Sequence, residues 1–281
     1  YRRSIMSAIK KKVLEESEVD KLLIAIDNMN EKEIHKQGWL KQGWLDAGSE
    51  PQNVIERYIL KVTKSLGHDG VGGYEWWIHD YGDGQGNNPH YDKNETIFQE
   101  TGKVFSPKKA TVTYLATCGQ PTNICDIKPI ENDPREITEE CNFFIWSYPT
   151  EGTIVEFDGK LLHGVPPGNP NDDRITFMIN IWEKKEDCDI NSRPEYKDDV
   201  DISLLDSEVK EPIRCETNVL YNPGGVYSNS PDGIIAYQLL LPQLKDVSTE
   251  EDFYIARRTQ KVYVAHNEEE FKKYEEILRN D

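Results

Sequence analysis

The spacing of apolar residues changes from helical to strand-like as the chain proceeds. Between residues 4 and 29, Ile9, Val13, Val19, Leu22, Leu23 and Ile26 recur among charges at helical intervals, which predicts one or two amphipathic helices. Residues 51–66 place Val54, Ile55, Tyr58, Ile59, Val62 and Leu66 on one stripe, with Pro51 near the start and Gly67 at the end, and predict a further helix. Residues 74–81 are aromatic and strand-like. Tyr74, Trp76 and Ile78 share one face of that strand; Trp77, His79 and Tyr81 share the other. Beyond Lys103 come short strand candidates separated by Gly, Pro and Asp, at 110–117, 142–148, 153–157, 161–165 and 174–182. In the last of these Ile175, Phe177, Ile179 and Ile181 alternate with Arg174, Thr176, Met178, Asn180 and Trp182, so one face is built for burial and the other carries polar groups toward a cleft.

Many short strands with no helical pattern between them predict a mainly β protein with flanking helices, a sandwich or jelly roll rather than a parallel α/β sheet. The chain divides into a helical flank (1–70), a β core (71–185) and an extension (186–281) of one elaborated domain. Residues 186–212 are acidic and broken, and read as a linker or surface loop. Strands at 234–241 and 262–265 and a helix at 267–279, capped by Asn267 with Glu270 behind it, are expected beyond. The sequence Lys-Gln-Gly-Trp-Leu occurs twice in tandem, at 36–40 and 41–45. That unit is too short for a repeat architecture and reads as a loop insertion.

Composition narrows the function classes. A formal net charge of −18 over 281 residues argues against sequence-independent binding to nucleic acid or to an anionic membrane, both of which need a basic patch. The longest apolar runs fall far short of a membrane span, so a soluble protein is expected. Five cysteines without a C-x-x-C spacing give no support to a disulfide scaffold or thiolate zinc site and point to a reducing, intracellular compartment. A chain opening on Tyr1 is compatible with prior removal of a targeting segment. Asn94-Glu-Thr matches a glycosylation acceptor, relevant only in a secretory compartment.

The chemistry concentrates in two stretches, Y-G-D-G-Q-G-N-N-P-H-Y-D at 81–92 and F-D-G-K-L-L-H-G-V at 157–165, followed by Arg174. If the first ends in a strand, His90 and Asp92 leave the same face of the pleat. With His163 from a distant strand they make two imidazoles and one carboxylate, an arrangement that leaves positions open on Fe(II).

These residues, with an aromatic strand ending in Tyr81, Pro89, the Thr-Val-Thr-Tyr-Leu strand at 111–115 and the Phe157-Asp158 turn, resemble the prolyl-hydroxylase-like branch of the Fe(II)/2-oxoglutarate-dependent oxygenases over residues 74–182. The resemblance implies a double-stranded β-helix (jelly roll) that uses Fe(II), 2-oxoglutarate and O2, with succinate and CO2 as co-products of C–H hydroxylation. It assigns His90, Asp92 and His163 to the metal and Arg174 to the distal carboxylate of 2-oxoglutarate. A guanidinium offers a carboxylate two parallel donors, which lysine cannot. Thr176 on the same face adds a hydroxyl, and Tyr114 and Tyr81 match pocket tyrosines. Trp77, His79 and Asn180 are expected on the substrate side. Asp92 speaks against halogenation, since halogenating relatives carry a small residue there.

Desaturation or radical ring closure, as in the algal kainoid synthases, would use the same triad. Two other readings keep the fold: a non-catalytic jelly-roll binding module, and a cupin-type metal enzyme without 2-oxoglutarate. The substrate expected is an amino-acid-derived small molecule or a peptide, selected by loops at 93–109 and 119–140.

Overall fold

The computed structural model describes residues 8–29, 41–69, 72–80, 86–125, 140–165, 174–190, 192–194, 213–215, 218–226, 254–257 and 260–265. Its strands are β1 (Ile9–Lys12), β2 (Lys41–Asp46), β3 (Gly73–Asp80), β4 (Asn87–His90), β5 (Lys109–Tyr114), β6 (Thr122–Cys125) and β7 (Glu140–Ser147). They continue with β8 (Thr153–Asp158), β9 (His163–Val165), β10 (Ile175–Trp182), β11 (Ile213–Cys215), β12 (Asn218–Val226), β13 (Tyr254–Arg257) and β14 (Gln260–Ala265). The helices are α1 (Glu16–Asn28), α2 (Val54–Ser65) and α3 (Glu95–Thr101).

The strands form two antiparallel seven-stranded sheets. The first runs β11-β1-β8-β5-β10-β3-β2 and the second β13-β14-β12-β7-β6-β9-β4. Within them the consecutive strands β3 to β10 distribute as β8-β5-β10-β3 against β7-β6-β9-β4. The chain crosses between sheets as it winds, which is the topology of a double-stranded β-helix, or jelly roll. Additional strands lengthen each sheet: β1, β2 and β11 flank the first, and β12 to β14 extend the second.

The first sheet is buried on both faces, and strand parity decides what each face meets. Tyr74, Trp76 and Ile78 of β3 and Phe177, Ile179 and Ile181 of β10 join Leu22 and Ile26 of α1 and Ile55, Tyr58, Ile59 and Val62 of α2 in one apolar core. The intervening residues, including Met178 of β10 and Ala110, Val112 and Tyr114 of β5, pack between the sheets with Ile124, Ile145 and Phe157. Trp76 and Trp77 therefore separate, the first into the helix-side core and the second against the inter-sheet cluster.

Helix α2 begins after Asn53, whose side chain accepts from the Glu56 amide at 2.9 Å, a capping position that Pro51 precedes. Its Tyr58 donates to the Thr113 hydroxyl of β5 and packs edge-on against Phe177, with ring centroids 5.0 Å apart. Trp76 stacks on the same ring at 5.7 Å.

Several expectations need correction. Residues 9–12 are a strand rather than part of an amphipathic helix: β1 pairs with β8 and with β11. Its lysines hid it, because Lys10 is buried with its ammonium donating to the Tyr148 carbonyl at 2.6 Å and Lys12 donates to the Glu151 carbonyl at 3.0 Å. The second Lys-Gln-Gly-Trp-Leu copy is no loop insertion but β2, paired with β3. Leu45 enters the helix-side core while Trp44 packs with Trp182 and Cys188; the first copy lies outside the described residues.

Residues 93–109 hold helix α3, where a loop was expected. Asn94 caps it, accepting from the Ile97 amide at 2.7 Å, and its Nδ2 donates to the Asp187 carbonyl. Buried and bonded in this way, Asn94 presents no free amide to a glycan. Within the expected linker or surface loop at 186–212, residues 192–194 are irregular chain tied to the fold: the Ser192 carbonyl accepts from the Trp44 amide at 2.9 Å, and Arg193 donates to Glu56 at 2.7 Å. The strand expected at 234–241 and the helix at 267–279 lie outside the described residues; β14 covers the strand expected at 262–265.

Phe177 has no exposed surface and holds two aromatic rings from different elements. We expect Phe177→Ala to cost about 3–5 kcal/mol in chemical denaturation, because the void lies between a sheet and a helix that cannot both collapse into it. A loss no larger than that of an exposed substitution would show that this face is not the core.

Candidate active site

The cavity opens between the two sheets, beside the apolar cluster that includes Ala110, Val112, Phe157 and Met178. Its walls include Trp77 and His79 of β3, Asn87 and His90 of β4, Val112 of β5 and Thr122 of β6, with His163 of β9 and Arg174, Thr176 and Met178 at and within β10. The second sheet supplies both histidines, since β4 and β9 pair with His90 opposite His163. Their ring centroids lie 4.5 Å apart.

Asp92 completes the group. It lies beyond the end of β4, so the expected sharing of one strand face with His90 does not hold. The pairing of β4 is itself irregular between Asn87 and His90, and the chain turns out of the ladder before Asp92. The carboxylate nonetheless reaches both rings, Oδ1 standing 3.6 Å from His90 Nε2 and Oδ2 standing 3.5 Å from His163 Nε2. One ligand atom from each residue falls within 4.8 Å of the others.

Protonation suits this donor set to a divalent metal. His163 Nδ1 lies 2.9 Å from the Leu161 carbonyl, which can only accept; the ring proton therefore sits on Nδ1 and Nε2 turns its lone pair toward Asp92. Burial lowers the His163 pKa, with the His90 charge acting the same way, against the raising influence of Asp92 and the Leu161 carbonyl. Burial alone would push the Asp92 carboxyl up. The His163 charge and the hydrogen bonds and charge of His90, helped by Asn180, reverse it and hold Asp92 well below the usual carboxylate range. A neutral imidazole and an ionised carboxylate are the forms that bind metal.

Arg174 stands just before β10, only 3% exposed. Its Nε donates to the Gln120 carbonyl at 2.9 Å, Nη2 to the Thr122 hydroxyl at 2.9 Å and Nη1 to the Thr176 hydroxyl at 3.4 Å. The guanidinium carbon lies 5.7 Å from the centre of the Tyr114 ring. Gly119 makes this cradle possible: its φ is +87°, and a Cβ there would meet the Arg174 Cβ at 2.5 Å. Tyr114 itself donates to the Ser147 carbonyl at 2.7 Å, so its partner along the hydroxyl proton is backbone, and it stands 2.8 Å from the Thr122 hydroxyl.

His79 faces the same cavity. Burial, with the charges of Arg174 and His90, lowers its pKa to about 4, so the ring is neutral at physiological pH. Asn180 is buried deeper and bonds to Glu75 at 3.2 Å. Tyr81 lies outside the described residues. Thr122 and Gln120 were missed by sequence reasoning; the one available signal was the Gly-Gln-Pro turn after β5. Glu75, a lone acid in an aromatic strand, was missed as well.

No family model matches the chain, and no curated protein does. Solved structures similar to it include a prolyl-4-hydroxylase from Pseudomonas putida at 13% identity and TM-score 0.36, over 64% of this chain and 89% of that one. An oxidoreductase of the 2OG-Fe(II) oxygenase family from Burkholderia pseudomallei is similar at 12% identity and TM-score 0.39, over 66% of this chain and 88% of that one. A third is a prolyl hydroxylase from Trichoplax adhaerens in complex with a hypoxia inducible factor oxygen degradation domain peptide fragment, at 12% identity and TM-score 0.40, over 67% of this chain and 89% of that one. Among the described residues no helix is long and apolar enough to cross a membrane.

Glu75 offers a pH test. Burial, reinforced by the Asp92 charge, raises its pKa to about 7 against the opposing hydrogen bonds of Trp182 and Asn180, with the Cys188 thiol also packed on it. A carboxyl with a raised folded pKa binds more protons folded than unfolded, so stability falls as pH rises from its ordinary value of 4.5 through about 7. In the metal-free protein, Glu75→Gln should be more stable than wild type at pH 8, by at most about 3 kcal/mol, and lose that advantage near pH 4. Parallel wild-type and variant unfolding curves across this range would show that Glu75 titrates normally.

Proposed function

We propose that this chain is an Fe(II)- and 2-oxoglutarate-dependent oxygenase that hydroxylates an unactivated C–H bond of an amino-acid-derived small molecule or a peptidyl residue. The observation that carries the reading is the convergence of His90, Asp92 and His163 in the cavity that also holds the Arg174 guanidinium. Two neutral imidazoles and one carboxylate leave a divalent ion with net positive charge and open positions, a donor set suited to non-haem Fe(II). When bound, the iron supplies the redox chemistry that couples oxygen to decarboxylation of the co-substrate, yielding succinate and CO2.

The protein's own residues set the conditions. His163 is fixed by the Leu161 carbonyl in the tautomer that offers Nε2. Arg174 receives the distal carboxylate of 2-oxoglutarate, and Thr122 and Thr176 hold the guanidinium planar to it from two sides. Tyr114 supports this end through the Arg174 cation above its ring and its contact with Thr122. Met178, Val112, Phe157 and Trp77 keep the intervening wall apolar, which strengthens every charge interaction inside it. His79, neutral beside the cavity, can accept or donate one hydrogen bond to a substrate without adding charge.

The test separates metal from co-substrate. Wild-type protein with Fe(II), 2-oxoglutarate and O2 should release succinate, and His163→Ala should abolish both release and metal binding. Arg174→Ala should keep the metal and lose about 10- to 100-fold in 2-oxoglutarate affinity, the loss of a charged hydrogen-bonded pair, measured by calorimetry on Mn(II)-loaded protein. Unchanged affinity in that variant would remove 2-oxoglutarate from the reading, and normal metal binding by His163→Ala would remove the metal centre.

A further inference from the structure

We propose that Lys10 is a positioning residue for the co-substrate end of the cavity, holding Tyr114 and, through it, the Arg174 guanidinium; this rests on the reading of Arg174 as the partner of the distal carboxylate of 2-oxoglutarate. Lys10 belongs to β1, outside the strands β3 to β10 that wind the jelly roll. It lies opposite Val155 of β8, which packs in the inter-sheet cluster, so its side chain enters the space between the sheets and not the helix-side core. An ammonium on a residue only 5% exposed needs partners that replace water.

Those partners surround Tyr114. The Lys10 ammonium stands 5.5 Å from the centre of the Tyr114 ring, within reach of a cation–π attraction. It also donates to the Tyr148 carbonyl at 2.6 Å and to the Thr150 hydroxyl at 3.1 Å, both in the connection from β7 to β8. Ser147, the residue just before that connection, supplies the carbonyl that accepts from the Tyr114 hydroxyl at 2.7 Å. Further along it, the Gly152 amide donates to the Tyr114 carbonyl at 2.9 Å. One ammonium thus grips both the ring and the stretch of backbone that receives its hydroxyl.

From Tyr114 the contacts run on to the anion end. The Ser147 carbonyl can only accept, so Tyr114 gives it the hydroxyl proton and leaves its own oxygen to accept from the Thr122 hydroxyl, 2.8 Å away. Thr122 in turn accepts from Arg174 Nη2 at 2.9 Å, and the guanidinium carbon lies 5.7 Å from the centre of the same Tyr114 ring. Each step from Lys10 to Arg174 is a direct contact. A displaced Tyr114 would carry with it both the Thr122 hydroxyl and the ring beside Arg174, and a two-pronged pairing with a carboxylate weakens as its angles are lost.

The test is calorimetric binding of 2-oxoglutarate to the whole Mn(II)-loaded protein, with no turnover required. 2-Oxopentanoate is the control, since it keeps the chelating end and lacks the distal carboxylate. Lys10→Met, which keeps the apolar stem and loses the charge and the donors, should weaken 2-oxoglutarate binding about 5- to 20-fold and leave the affinities for 2-oxopentanoate and Mn(II) unchanged. Lys10→Gln serves as a second variant if the first fails to fold. Because Lys10 acts through Tyr114, the double variant Lys10→Met/Tyr114→Leu should bind 2-oxoglutarate no more weakly than Tyr114→Leu alone. Wild-type 2-oxoglutarate affinity in a folded Lys10 variant, equal losses for the two oxo acids, or additive losses in the double variant would overturn the proposal. Wild-type protein that binds 2-oxoglutarate no more tightly than 2-oxopentanoate would instead overturn the reading of Arg174 on which it stands.

Discussion

A β-strand sends successive side chains to opposite sides, and the first sheet of this protein is the place where both sides matter. Strand β10 must bury Phe177, Ile179 and Ile181 under the helices while presenting Thr176, Met178 and Asn180 to the space between the sheets. A slip of one residue in its pairing with β3 or β5 would send isoleucines into the cavity and polar groups into the helix-side core. Register and site are consequently one constraint: the apolar cost of slippage fixes the geometry of the polar face. Helices α1 and α2 thereby help set the geometry of the cavity, because the face they cover is what forbids the alternative pairings.

The second sheet contributes differently. Its site strands are short, β9 with three residues and β4 with four, and they are held as neighbours by pairing rather than by long hydrophobic runs. Strands β12 to β14 extend this sheet on the far side of β7, away from the histidines. On the first sheet, β2 covers β3, and its Trp44 amide donates to the Ser192 carbonyl across its outer edge. That cover protects a strand that would otherwise present unpaired amides beside the site.

How much of this was legible in the sequence depended on whether a feature is written in local periodicity or in register. The parity of 74–81 and 174–182 is local, and it separated Trp76 from Trp77 and Phe177 from Met178. The His90, Asp92 and His163 pattern was legible as chemistry, yet the reason offered for it was incomplete, since Asp92 reaches the rings from beyond the strand end. Strand β1 was illegible because Ile-Lys-Lys-Lys carries no strand signature; its ammonium groups find backbone carbonyls only in the folded state. Gln120 belongs to a turn, leading into Thr122 at the start of β6, whose approach to Arg174 depends on a positive φ at Gly119. Glu75 and Asn180 stand 105 positions apart and meet only through the β3–β10 register. No scan of spacing finds a pair of that kind.

The net charge of the chain is negative, whereas the cavity holds a buried cation, Arg174, beside a group that could bind a metal ion. A net −18 describes a surface whose field is screened over about 8 Å at physiological salt. Inside the cavity the balance is set by a few groups: Arg174 is a buried cation, His79 is neutral, and Asp92 stands with two histidines in a group that could hold a metal ion. With a 2+ ion in place these sum to a positive interior lined by apolar walls, where the effective dielectric is low and each charge acts strongly. On the proposed reading, an anionic co-substrate would be repelled weakly from far outside and attracted strongly once within. Under the proposed function, Arg174 and the His90, Asp92 and His163 group would give the attraction two poles, favouring a molecule with an acid group at each end over one with a single carboxylate.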